Sequence, residues 1–466
     1  MVFSSIPFLY YFLPAVLAVY FLTPRKGKNA VLLLASLIFY GWGELRLLPL
    51  MVFTILLCYV CGLGIERSRK RKKRWLLASI VISVGLLGVF KYADFFIGSL
   101  NAVTGLKIPL LHLALPVGIS FYTFQCLSYT IDVYRGSVPA QKNLINFGAY
   151  VALFPQLIAG PIVRYADIAR ELEHREHSWE NAAVGLRRFL VGLGKKVILA
   201  DNFALLIRLF RQSGEKSVLF YWMYAVAFTL NIYFDFSGYS DMAIGMGRCM
   251  GFHFDENFNY PYVTRTITEF WRRWHISLGS FFRDYVYIPM GGNRRHQPLN
   301  ILVVWFLTGL WHGASWNFVL WGLYFGAIIM LEKYTIVKIQ DRIPGFILHI
   351  YSLFIIVFGW VIFYFTDISR MGGFISILFG GGASGWNLVA QNELTGNLWL
   401  IIAGIVCCLP IGKGIRSIYE KAAYDGSAGA EVLLTGAKTL CAAALLVSCT
   451  LLLIGSTTNP FLYLRF

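Results

Sequence analysis

Two histidines stand where the surrounding chain makes an imidazole unfavourable. His312 falls in "TGLWHGASWN", residues 308–317, inside an apolar run from Ile301 to Met330, and His275 closes the stretch "TEFWRRWH". Eleven residues into that run and eighteen from its end, His312 is out of snorkelling reach of an interface and should face a protected polar cavity. A neutral imidazole in low dielectric resists gaining a proton, so it can take one from a hydroxyl. The chemistry that suits it is alcohol acylation. His312 would remove the hydroxyl proton during attack on an activated acyl carbonyl, a contribution of about 10²–10⁴ in rate. His275 would hold the acyl carbonyl or orient the acceptor, and confinement of the two reactants would supply much of the rest. The structural alternative for His312 is a packing seam, because Gly309 and Gly313 make a GxxxG spacing that admits another helix closely.

Other chemistries fall away. "GYSDM", with Ser240, and "GASWN", with Ser315, begin like a nucleophile elbow but lack its second glycine and its strand–turn–helix setting. "EHREH", with His174 and His177, lacks HExxH spacing and lies in a charged loop, so it reads as solvated surface. The eight cysteines sit in or beside apolar runs with no paired CxxC spacing and read as buried thiols. No metal is expected, and a metal-free histidine reaction remains.

Such a reaction needs elements that enclose a dry cavity. With 57% hydrophobic and 14% charged residues, a 466-residue chain cannot hide its apolar surface in one soluble globule. Its solvent is lipid. Candidate spans lie near 6–22, 29–42, 47–64, 75–97, 114–131, 146–162, 183–209, 217–234, 300–331, 346–366, 397–411 and 432–455. That gives an all-α polytopic protein of about ten to twelve helices, several of them broken by Gly, Pro or Arg and re-entrant. No positive charge precedes the first run and "TPRKGKN" follows it, the reverse of a secretory signal, so this helix is retained with its N-terminus outward. Two short apolar segments then lead to "ERSRKRKKR", residues 66–74, placing both basic loops in the cytosol. The net charge of +17 follows the same rule and anionic lipid headgroups, so nucleic acid is not a partner.

The texture divides this single membrane domain, 1–466. Before about 110 and after about 335 the spans are plain, whereas 114–325 mixes Gly, Pro, Asn, Asp, His and Arg with dense aromatics. Trp271 and His275, four apart, would share one helix face while Arg272 and Arg273 point away from it. That helix suits a re-entrant or interfacial position, with simple anchoring as its structural alternative. Arg283 and Asp284 would stabilise the same segment through their neighbours. Asp235 and Asp241 either form a structural hydrogen-bond network or line the cavity. Ser237, Tyr239, Asn259, Trp271, Trp311, Ser315 and Asn317 are further candidates for lining or supporting it.

These residues carry a resemblance. "ENFNYPYVTRTITEFWRRWHISLGSFFRDYVYIPMGGNR" and "TGLWHGASWNFVLWG", with "LFPQLIAGPIVRY" and "DFSGYSDMAIG", resemble the membrane-bound O-acyltransferase family, in its bacterial alginate O-acetyltransferase branch. The resemblance implies that the histidine of "LWHG", His312, is catalytic, and that His275, ending "FWRRWH", is a second functional residue. It implies a ring of helices around a funnel in a bacterial plasma membrane. It also implies acetyl-CoA as a donor substrate with no tightly bound cofactor, a cell-surface polysaccharide acceptor, and a secreted or membrane-anchored SGNH-type acetyltransferase as partner. A sister branch that moves D-alanine onto teichoic acid shares the histidines, although "YIPMGGNR" looks more like the acetylating branch. Arg67 to Arg74, Lys195 and Lys196 would attract the phosphates of coenzyme A or simply follow topology. From a different class, interrupted helices with intramembrane polar groups also suit a transporter or lipid flippase.

Overall fold

The computed structural model describes residues 2–68, 70–412, 414 and 428–455, so Arg69 of the second basic loop lies outside the described residues. Among them the chain is helical, with extended pairing limited to the isolated bridges Ser217–Ser384 and Phe258–Trp274. In lipid every backbone N–H and C=O must be satisfied within the protein, and a helix does that inside one segment. Among the described residues six helices are long and apolar enough to cross a membrane, and shorter apolar ones such as Phe8–Leu22 accompany them. Their surroundings differ: 72% of the apolar window of Val218–Cys249 is buried, against 11% for Leu434–Ile454, so the first runs through protein and the second faces lipid. The chain divides into two compact units, Met1–Phe189 with Tyr239–Glu256, and Leu190–Gly238 with Asn257–Leu462.

In the first unit, Phe8–Leu22 leads through the "TPRKGKN" turn to Lys28–Glu44 and Leu48–Arg67, so two helices separate the two basic loops. The run at 146–162 is not a span. Helix Leu144–Ala152 stops at Leu153 (ψ 109) and a four-residue helix, Phe154–Leu157, follows. Pro155 has no N–H to continue the ladder. Gln156 Nε2 instead donates to the Tyr150 carbonyl at 2.7 Å, re-satisfying a group freed by the break.

In the second unit, the Val218–Gly238 part of the Val218–Cys249 helix buries Thr229, Asn231, Asp235 and Ser237 to 5% exposure or less. Asn231 Nδ2 donates to the Ala200 carbonyl at 2.7 Å. Lys196 lies between Asp235 (2.7 Å) and Asp201 (2.9 Å). A buried ammonium needs such counter-charges, and this one is committed to them rather than to a soluble phosphate.

The run at 300–331 differs most from the reading of the sequence. It is two helices, Gln297–His312 and Trp316–Tyr334, joined by extended Gly313 (φ −174, ψ 157), Ala314 and Ser315. His312 therefore ends a helix at the tip of a hairpin rather than standing mid-span. The hairpin closes on glycine: a Cβ on Gly309 would collide with the Phe318 carbonyl, and one on Gly322 with the Trp305 carbonyl. Gly309 thus serves the close approach expected of it, while Gly313 lies past the helix end against the Phe318 ring. Gly309→Ala is expected to lower stability by about 1–3 kcal/mol, read as a lower melting temperature in detergent. Gly436→Ala, on a lipid-facing helix with nothing within 4 Å, should change it little.

The thiols are less uniformly buried than their sequence context suggests. All eight are free; Cys58, Cys61, Cys126, Cys408 and Cys449 are buried, Cys249 is half-buried, and Cys407 and Cys441 are exposed. An apolar neighbourhood in sequence means lipid as readily as protein interior.

Candidate active site

Within the second unit, the hairpin tip holds His312 at 3% exposure. The ring stands edge-on, at 81°, to Trp311, Trp321 and Phe363, with centroids 4.8, 4.9 and 5.3 Å away. Trp311 also lies 5.5 Å from the ring of His275. One indole therefore borders both imidazoles. On its other side His275 meets Phe236 at 4.7 Å, nearly perpendicular, so the long helix contributes an aromatic wall.

His275 does not share a helix face with Trp271. Helix Ile267–Arg273 ends, Trp274 is extended, His275 turns left-handed at φ 46, and a second helix runs Ile276–Phe282. A non-glycine residue in that region is unfavourable and persists where neighbours over-determine it. Asn257 supplies the constraint. Its carbonyl accepts from Ile276 N at 3.0 Å, and its Oδ1 accepts from Ser277 N (3.2 Å) and Ser277 Oγ (2.9 Å). The Phe258–Trp274 bridge and Asn259 N donating to the Arg273 carbonyl at 2.9 Å join the two stretches further.

The same amide fixes the imidazole. His275 Nδ1 is 3.2 Å from Asn257 Oδ1, an oxygen identified by the backbone N–H that it accepts, so Nδ1 must carry the proton. Nε2 is then a bare lone pair, buried and without a hydrogen-bond partner. His275 lies at the junction of two seven-residue helices, outside the spanning helices, and burial pushes its imidazole well below the ordinary value. The ring is neutral and presents an acceptor, which suits orienting a hydroxyl and does not suit holding a carbonyl oxygen.

Glu332, from the second arm of the hairpin, seats this segment. Fully buried, its carboxylate accepts from Ile267 N (2.6 Å), Thr268 N (2.8 Å) and Thr268 Oγ1 (2.7 Å). A carboxylate at a helix N-terminus satisfies orphan donors and complements the dipole. Glu332→Ala would strand those donors in a dry interior. The expected cost is about 2–5 kcal/mol, seen as early unfolding in detergent, with Glu332→Gln recovering part of it.

The remaining candidates are dispersed. Trp271 is half-buried against Trp305 (4.6 Å) and Trp321 (5.5 Å). Asn317 is fully buried and its Nδ2 donates to the Phe363 carbonyl at 3.0 Å, fixing the residue that walls His312. Ser315 is half-buried at the start of its helix without a capping bond, Ser237 is 1% exposed, and Asn259 is exposed. Asp235 is ion-paired with Lys196 as described. Tyr239 and Asp241 belong to the first unit, where Tyr239 stacks on Phe3 at 4.5 Å. There Asp241 accepts from Arg188 Nε at 2.7 Å, and the same guanidinium also binds Glu256. Arg283 pairs with Asp284 itself at 2.6 Å. Asn257 and Glu332 were not singled out by the sequence. Asn257 stands in the quoted "ENFNYPY", two residues before Asn259, whereas nothing in sequence marks Glu332 apart from a charge near a span end.

Among the described residues, the buried polar atoms of this unit without a hydrogen-bond partner include Trp271 Nε1, Trp321 Nε1, Asn317 Oδ1, Ser237 Oγ and His275 Nε2. Buried polar atoms are ordinarily satisfied, so unsatisfied donors and acceptors in the unit that holds both imidazoles suit a polar reactant. Indole N–H groups can meet a carbonyl oxygen, and Nε2 can accept from a hydroxyl.

Comparison with known proteins agrees in kind. The profile of the membrane-bound O-acyltransferase family matches residues 34–373. The probable alginate O-acetylase AlgI of Pseudomonas aeruginosa is 42% identical over 435 residues, covering 90% of this chain and 83% of that protein. The peptidoglycan O-acetyltransferase of Helicobacter pylori is 34% identical over 404 residues, covering 78% and 77%. The teichoic acid D-alanyltransferase of Bacillus subtilis matches at 28% over 229 residues, covering 46% and 58%.

Proposed function

The chain belongs to the membrane-bound O-acyltransferase family, and from that premise we propose that it carries acetyl groups from cytosolic acetyl-CoA across the membrane for O-acetylation of an exported polysaccharide. It is a multi-pass bacterial membrane enzyme that transfers acyl groups to hydroxyls. The acceptor hydroxyl oxygen attacks the thioester carbonyl carbon; the new C–O bond forms as the C–S bond breaks. His312 takes the hydroxyl proton, which leaves with the thiolate, and His275 orients the hydroxyl through Nε2. A secreted or membrane-anchored SGNH-type acetyltransferase completes delivery to the polymer.

The observation that carries this reading is the pair of buried imidazoles bordered by Trp311, one of them with an unbonded lone pair. Acetyl rather than D-alanyl is favoured because the acetylating relatives align over most of this chain and the D-alanylating one over less than half. Reconstitution in proteoliposomes with radiolabelled acetyl-CoA outside, and a polysaccharide acceptor with an SGNH-type acetyltransferase inside, tests it. Label should appear as alkali-labile ester on the acceptor. Movement of an unmodified solute without a donor would instead identify a transporter, and transfer only from a D-alanyl carrier the sister activity.

A further inference from the structure

A cluster of cations in the first unit is separate in sequence from the residues assigned to acyl transfer. Lys28 is 8% exposed; its Nζ donates to the Tyr20 carbonyl at 2.6 Å and lies 4.3 Å from the Tyr20 ring. Arg175 donates from Nη2 to Asn29 Oδ1 at 2.7 Å and stacks on Phe252 at 4.4 Å, and its Nη1 is buried with no carboxylate or carbonyl to bond. Tyr20 gives its single proton to the Met250 carbonyl (2.7 Å), so His177 Nε2, 2.9 Å from the same oxygen, must be a donor.

Part of this arrangement is local structure, since Lys28 satisfies a carbonyl in the last turn of Phe8–Leu22, where the dipole is negative. The Lys28 charge still stands beside the guanidinium and the imidazole. The adjacent carboxylate, Glu171, is engaged by His253 N (3.0 Å) and Nδ1 (2.7 Å). Partial burial, then the charges of Lys28, Arg175 and Arg25, hold His177 below its ordinary value, while Glu171 and Tyr20 offset only part of the burial of Arg175. Buried cations ordinarily have an anion. Asn29 also donates to Asn146 Oδ1 (2.8 Å) and the Leu172 carbonyl (2.7 Å), so the arginine is held by a fixed partner rather than a mobile loop.

We propose that Lys28, Arg175 and His177 form a binding site for a phosphoryl group at the cytosolic end of the Phe8–Leu22 helix. The Nη1 edge of Arg175, beside the Tyr20 phenol, is left for a phosphate oxygen, Lys28 adds positive charge near it, and His177, neutral on its own, gains a proton more readily once an anion is bound. The group is either a phospholipid headgroup of the cytosolic leaflet or a phosphate of a soluble molecule. The site stands independently of the acyl-transfer reading, because its occupancy is measured with no acyl donor present.

The full chain in neutral detergent is titrated with inorganic pyrophosphate, and the chain in nanodiscs is compared between pure phosphatidylcholine and a phosphatidylglycerol mixture by native mass spectrometry. At least one probe is expected to bind, and Arg175→Gln and Lys28→Gln should each weaken it about tenfold or more. Pyrophosphate binding alone assigns a soluble source, and retained phosphatidylglycerol alone assigns the lipid; either supports the site. Melting temperatures verify that the variants are folded, and Arg175→Lys separates loss of the guanidinium from loss of charge. Absence of binding by both probes overturns the proposal, as do variants that stay folded and bind as the native chain does.

Discussion

Replacing His312 by Ala is expected to lower acetyl transfer by about 10²–10⁴-fold while the protein stays folded and inserted. The magnitude follows from proton transfer: without a base, the acceptor attacks as a neutral hydroxyl and the proton must leave unassisted. The ring ends its helix, so its loss spares the backbone ladder of the hairpin. It does open space among Trp311, Trp321 and Phe363, and cavity formation costs stability. His312→Gln distinguishes the two effects, because it keeps most of the volume and hydrogen-bonding capacity and lacks a proton-accepting lone pair of useful basicity. Both variants should lose transfer, the Ala variant at a lowered melting temperature and the Gln variant close to the normal one. A folded Gln variant that still acetylates would remove His312 from the chemistry.

The second large effect is expected at His275. Its replacement by Ala should cost about 10²-fold through loss of acceptor orientation. Asn257 acts on transfer through that ring, as a positioning residue: Asn257→Ala frees the tautomer and the left-handed turn, and about a tenfold loss is expected by analogy with other outer-shell partners of histidine. On a His275→Ala background the Asn257→Ala change should have almost no further effect on transfer, since the two act in series. Asn257→Asp carries the sign. A carboxylate still accepts from Nδ1 and Ser277, so the tautomer holds and activity is largely rescued. Its negative charge stabilises the imidazolium and raises the pKa of His275. The neutral base is then lost at higher pH as acid is added, so the acid limb of the pH–rate profile should move toward neutrality. An unchanged profile in an active Asp variant would mean that Asn257 serves the fold alone.

Membrane residence was legible because apolar composition and basic placement act over whole segments and survive any arrangement of helices. The family was legible for a related reason: "TGLWHGASWN" and "FWRRWH" hold polar groups that lipid-solvated helices exclude unless they are used. Helix breaks were less legible. In 300–331 the apolar run gives no pause, yet the chain turns at Gly313 because Gly309 and Gly322 let two arms close on each other. Hydropathy registers how a residue is solvated, and both arms and the turn are solvated alike.

Sequence alone determined that this chain is a polytopic helical protein with two histidines held among motifs of an acyltransferase family, since residue type and order carry that information. What only the tertiary structure decided is how those histidines are held. His312 stands at a hairpin tip, His275 turns left-handed under the Asn257 amide, and Glu332 seats the segment from 64 and 65 residues away in the chain. The physical reason is that a tautomer, a positive φ and a buried carboxylate are fixed by which groups meet after folding, and a hydrogen bond across that distance leaves no periodicity in the sequence to read.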